Sequence, residues 1–128
     1  MPRAAPRRRP HRFGPTRDVL LPLLDTLAAD EEFMVRQTLA TQLRGVAAVC
    51  VKDGGDEGYT AMLSRVLPVL SRLVSDAQAE VRIAAGETVV AVAGLVKKPD
   101  LGVHVLTIVL SLAHEDEQEE LRMAAVRC

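Results

Sequence analysis

VLPVLSRLVSDAQAEVRI, residues 66–83, decides how this chain folds, because most of its pattern recurs as VLLPLLDTLAADEEFMVRQ over residues 19–37. Pro22 matches Pro68, Asp30 matches Asp76, and Val35–Arg36 matches Val81–Arg82, each at an offset of 46 positions. A third unit, VLTIVLSLAHEDEQEELRM over residues 105–123, follows 40 positions later. It puts Ile108 at the proline place, Asp116 at the aspartate and Leu121–Arg122 at the Val–Arg pair. Self-similarity at this period signals supersecondary units that cannot bury their apolar faces alone and must stack.

Within each unit the apolar residues fall on helical spacing. Leu20, Leu23, Leu24 and Leu27 form one stripe and Val35, Leu39, Leu43, Val46 and Cys50 a second, with a break near Asp30. The next pair reads Leu63, Val66, Leu67, Leu70, Leu73 and Val74, then Val81, Ala84, Ala85, Val89, Val92, Ala93 and Val96, turning at Asp76. The Val-rich TVVAVAGLV continues a 3.6-residue stripe from Val81, which predicts helix rather than strand. Polar KDGGDEG (Lys52 to Gly58) and KKPD (Lys97 to Asp100) read as the breaks between units, at about 18–53, 58–97 and 99–128. Pro68 stands inside its helix and predicts a bend through loss of the bond to the Ser64 carbonyl, whereas Pro22 reads as lying near a helix start.

On these residues the chain resembles the HEAT-repeat proteins, whose units are antiparallel helix pairs with proline in the first helix, aspartate in the turn and Val–Arg opening the second. The resemblance implies an all-α fold, an α-solenoid of about three helix pairs with the last incomplete. Within the family the pattern is most similar to the scaffold A subunit of protein phosphatase 2A and regulatory subunit 1 of protein phosphatase 4. It implies a non-catalytic scaffold that holds a phosphatase catalytic subunit, another regulatory subunit, or both. A HEAT adaptor of another pathway, such as nuclear transport or complex assembly, is the alternative. The resemblance also implies a ladder of aspartate–arginine bonds through Asp30, Arg36, Asp76, Arg82, Asp116 and Arg122. Asp76 is expected to pair with Arg36 or Arg82, and Asp116 with Arg82 or Arg122. Independently of any family, an aspartate just ahead of a helix can accept N–H bonds at the helix start.

Composition narrows the function further. The 128 residues carry 26% charge and a net charge of −1, the profile of one ordinary domain. Phe13, Phe33 and Tyr59 are the only aromatic residues, too few for a nucleic-acid stacking platform. Residues 1–17 hold six arginines, four prolines and no acid, so they read as a disordered basic tail. The remaining residues carry −7, which does not attract phosphate backbones. The apolar run Leu101 to Ala113 is too short to span a membrane. Cys50 and Cys128 lie far apart without metal-ligand spacing, which points to a reducing compartment, the cytoplasm with the nucleus as a further location.

No cofactor, metal or catalytic residue is expected. GGDEG lacks the Lys–Ser/Thr of a phosphate loop, and His11, His104 and His114 form no i, i+3 or i, i+4 pair. The acids Glu115 to Glu120 suit the first turn of a helix. In the phosphatase scaffolds that the chain resembles, the turns inside the units contact catalytic and regulatory subunits, so the resemblance implies partner contact at Asp30, Glu31 and Glu32, then Asp76, Gln78 and Glu80, then His114, Glu115 and Glu117. EQEELRMAAVRC leaves room for only about half a second helix in the third unit, the pattern expected of an N-terminal piece of a longer array.

Overall fold

The computed structural model describes residues 13–114, which are all-α, with no strand among them. Five helical segments account for the fold: α1 (residues 13–28), α2 (Phe33–Asp53), α3 (residues 55–73), α4 (Ala79–Ala93) and α5 (Lys98–His104), with helix resuming over residues 106–114. Phe13, at the start of α1, lies beside Gly54 just beyond the far end of α2, so these helices run antiparallel. α3 and α4 form a second hairpin beside the first. α2 packs along α4 in the broadest helix–helix contact, and α1 meets α3. The core between them is Leu24, Leu43, Ala47, Met62, Val66, Leu70, Leu73, Val81, Val89 and Val92, all buried.

The expected tail boundary moves. Residues 13–17 are helical and Phe13 is 1% exposed, because this ring is the large apolar group that fills the end of the first hairpin. Arg17 stays on the surface, where it bonds Asp18 and Glu57 and stands 5.8 Å from the Phe13 ring centre. Its partners are helical neighbours, so its charge belongs to the folded part of the chain. The rest of the basic run, residues 1–12, lies outside the described residues.

Both prolines sit inside their helices, each preceded by a widened π turn. Leu21 N–H donates to the Thr16 carbonyl ahead of Pro22, and Leu67 N–H to the Met62 carbonyl ahead of Pro68. Pro22 is thus not near a helix start. The wide turn relieves the ring's clash with the carbonyl four residues back and repeats at the 46-residue offset. It also rotates the apolar face: Leu21 is buried and Leu23 is 46% exposed, the reverse of the stripe read from spacing.

In the third unit Val105 and Val109 make ordinary four-residue bonds, with no widened turn between them. Ile108 is accordingly buried, whereas Pro22 and Pro68 are exposed, so Ile108 does not take the proline's place. It faces the core instead, so the third unit does not repeat the proline turn of the first two.

The break expected across Lys52 to Gly58 is mostly helix. α2 runs to Asp53 and α3 starts at Gly55, leaving Gly54 as the hinge. Gly55 turns the chain at φ 56°, a left-handed conformation that favours glycine. Gly58 lets α3 cross α2, because a Cβ there would lie 1.8 Å from the Cys50 carbonyl oxygen. The glycines of GGDEG close a helix corner.

Candidate functional site

The turns inside the two hairpins are built alike. Asp30 Oδ1 accepts the Glu32 N–H at 2.9 Å, and Asp76 Oδ1 accepts the Gln78 N–H at 2.9 Å. Glu32 and Gln78 flank their helices rather than lie inside them, so each aspartate braces the turn and does not cap a helix N–H. The arginine six residues on completes the turn from the other side. Arg36 Nη1 donates to the carbonyls of Asp30 (2.7 Å) and Glu31 (3.2 Å), and Arg82 Nη1 to those of Asp76 (2.8 Å) and Ala77 (3.2 Å). The six-residue spacing lets a guanidinium in the first helical turn reach back to these carbonyls.

Arg36 also crosses between hairpins. Its Nε donates to Asp76 Oδ2 at 2.7 Å and its Nη2 to Oδ1 at 3.1 Å, a two-pronged bond across 40 residues. The two side chains are 15% and 10% exposed. Loss of water pushes the Asp76 carboxyl up, but the bonds from Arg36 and the Gln78 N–H, with the charges of Arg36 and Arg82, outweigh it. The net shift is downward. The bond to Asp76 raises the Arg36 pKa in turn.

A carboxylate held below its unfolded value stabilises the fold above about pH 4, and that contribution is lost as pH falls through the folded value. Asp76→Asn keeps an acceptor for the Gln78 N–H, removes the charge and sets an NH2 donor where Oδ2 accepts the Arg36 Nε–H. It is expected to cost about 1–2 kcal/mol at pH 7 in urea unfolding. The loss relative to wild type should shrink at pH 3, and an equal loss at both pH values would contradict the ion pair's role.

Because one guanidinium touches both turns, Asp30, Glu31 and Glu32 lie next to Asp76, Gln78 and Glu80 along one edge. Glu31, Glu32, Gln78 and Glu80 are exposed, while Asp30 and Asp76 are half-buried and engaged in the turns. His114 is exposed at the end of the described chain. Glu115, Asp116, Glu117 and Arg122 lie outside the described residues. The edge is acidic and offers solvent-facing carboxylates on two turns whose backbone is braced. Among the described residues no three His, Cys, Asp or Glu side chains converge on a metal position, and no helix is long and apolar enough to cross a membrane. Cys50 is fully buried, and burial raises its thiol pKa.

Three features escaped the reading of the sequence. Tyr59 ties the second unit boundary: its hydroxyl donates to Asp100 Oδ2 at 2.6 Å and accepts the Lys97 N–H at 3.0 Å, with the Lys97 ammonium 4.7 Å from its ring centre. Burial and the bond to Asp100 raise the tyrosine pKa. Tyr59→Phe should cost about 1 kcal/mol in thermal unfolding, with no change in helix content. Thr88, buried, donates to the Ala40 carbonyl at 2.7 Å and pins α4 to α2. The third feature is an apolar groove of about 440 Å³ between α1 and α2, on the side turned away from the second hairpin, lined by Leu20, Leu24, Leu27, Met34, Val35, Leu39 and Val46 among others. The 46-residue offset could have located it, since its lining residues other than Met34 match residues buried in the next unit.

Comparison of the chain with family models, with curated proteins and with solved structures returned no match.

Proposed function

We propose that this chain is a non-catalytic, protein-binding scaffold made of HEAT-type helix pairs stacked as an α-solenoid. In this reading it acts in the cytoplasm as a regulatory or scaffold subunit of a serine/threonine protein phosphatase of the 2A or 4 type. The acidic edge formed by Glu31, Glu32, Gln78 and Glu80 is its partner-binding surface. The observation that supports it best is the double use of Arg36, which braces its own turn and bonds the aspartate of the next unit. Such a bond sets neighbouring turns side by side and presents a continuous edge to a partner, as extended helical-pair surfaces do.

The test offers the immobilised full chain to purified catalytic subunits of protein phosphatases 2A and 4. Saturable binding of at least one is expected, weakened about tenfold when Glu31→Lys and Glu80→Lys reverse the charge of the edge. Binding of neither subunit would refute the phosphatase assignment, and binding that ignores the reversal would remove the edge as its site.

A further inference from the structure

The first hairpin has two broad faces, one packed on α3 and α4 and the other bearing the 440 Å³ groove. The internal repeat shows what such a face is shaped to receive. Leu24, Leu27, Val35, Leu39 and Val46 hold the places of Leu70, Leu73, Val81, Ala85 and Val92 in the next unit. Each of those five counterparts is 0% exposed beneath the first hairpin, whereas in the groove Leu24 and Leu39 are buried within their own hairpin and Leu27, Val35 and Val46 stay partly open.

The polar positions match in the same way. Thr88, whose hydroxyl bonds the Ala40 carbonyl of the covering hairpin, has Gln42 as its counterpart in the groove. Asp76, which receives the covering hairpin's Arg36, has Asp30 as its counterpart, and among the described residues Asp30 forms no ion pair. At the rim, where the next unit carries the exposed Glu80, the groove carries Met34, 65% exposed. An adaptable apolar side chain there widens the patch instead of solvating it.

We infer that this face is a docking surface for one further α-helical hairpin, presented by a partner chain. The partner supplies an aliphatic ridge for the groove, a main-chain carbonyl for the Gln42 amide and an arginine for Asp30. The inference rests on the stacking part of the proposed function, not on the phosphatase assignment. Residues 1–12 do not meet the description, since they carry five arginines and no leucine, isoleucine or valine to fill the groove.

The probe is the full chain with a second copy of residues 13–58 fused directly ahead of Phe13, which keeps the 46-residue offset and the glycine corner. Fusion makes a weak contact intramolecular and so populates it. The added hairpin should be cleaved by protease about tenfold more slowly than the unfolded chain. Asp30→Asn or Gln42→Lys in the original hairpin should return most of that rate, while leaving the unfolding midpoint of the unextended chain unchanged.

An added hairpin cleaved as fast as unfolded chain would overturn the inference, as would protection indifferent to both substitutions. Concentration-dependent self-association of the unextended chain, abolished by Gln42→Lys, would overturn it too by giving the face to a second copy. Catalytic-subunit binding measured on the unextended chain is independent of these outcomes and separates failure of the docking face from failure of the phosphatase reading.

Discussion

Gly58→Ala is expected to destabilise the protein by about 4 kcal/mol, near the upper end of single-residue effects. A Cβ at position 58 would stand 1.8 Å from the Cys50 carbonyl oxygen and 2.8 Å from its carbon, and both are backbone atoms that cannot swing away as a side chain tip would. α3 would have to lift off the end of α2, opening the space around Phe13 and Cys50, which are buried at that corner. Gly45→Ala supplies the control. It lies inside α2, and a Cβ there would meet nothing within 4 Å, so alanine should stabilise by about 0.8 kcal/mol through helix propensity alone. Urea unfolding of the two variants checks the pair. A Gly58→Ala protein as stable as wild type would mean that the two helices do not cross so closely.

Leu43→Ala should cost about 3–4 kcal/mol. Leu43 is 0% exposed in α2, within a core whose helices are pinned by Thr88 and by the Arg36–Asp76 bond. Those fixed points limit how far the site can collapse around the lost atoms, which places the cost well inside the range for buried leucines rather than at its foot. Leu23→Ala, four residues after Val19 in α1, is the matched comparison: its side chain is 46% exposed, so the loss should stay below about 1 kcal/mol. Spacing alone would rank Leu23 with the core. A large loss at Leu23 would restore that reading and contradict the rotation made by the π turn.

Much of the fold was legible because its determinants are local. Apolar residues at 3.6-residue spacing, the breaks near Asp30 and Asp76, and helix rather than strand for TVVAVAGLV all follow from short-range pattern, although that helix ends at Ala93 and Gly94 to Val96 turn out of it. The boundaries were harder. Phe13 looked like part of a basic tail because five arginines dominate its neighbourhood, and the burial that recruits it depends on a corner closed more than 40 residues later. KDGGDEG looked like a loop because its composition is polar and glycine-rich, yet two of its glycines serve a close helix crossing that composition does not reveal.

By itself the chain determined that it would form helix pairs, where the first two of them turn, and that an aspartate and an arginine six residues apart would recur in those two turns. Only the tertiary structure decided that Arg36 turns one edge of its guanidinium to the carbonyls of Asp30 and Glu31 and another to the carboxylate of Asp76. It also decided that the face holding Leu24, Val35 and Leu39 borders an open groove while its repeat counterpart is sealed. Helix formation and turn position depend on neighbours within a few residues, so spacing records them. Which group meets which across 40 residues depends on how two helix pairs settle against each other, and a period of hydrophobic residues carries no coordinate for that.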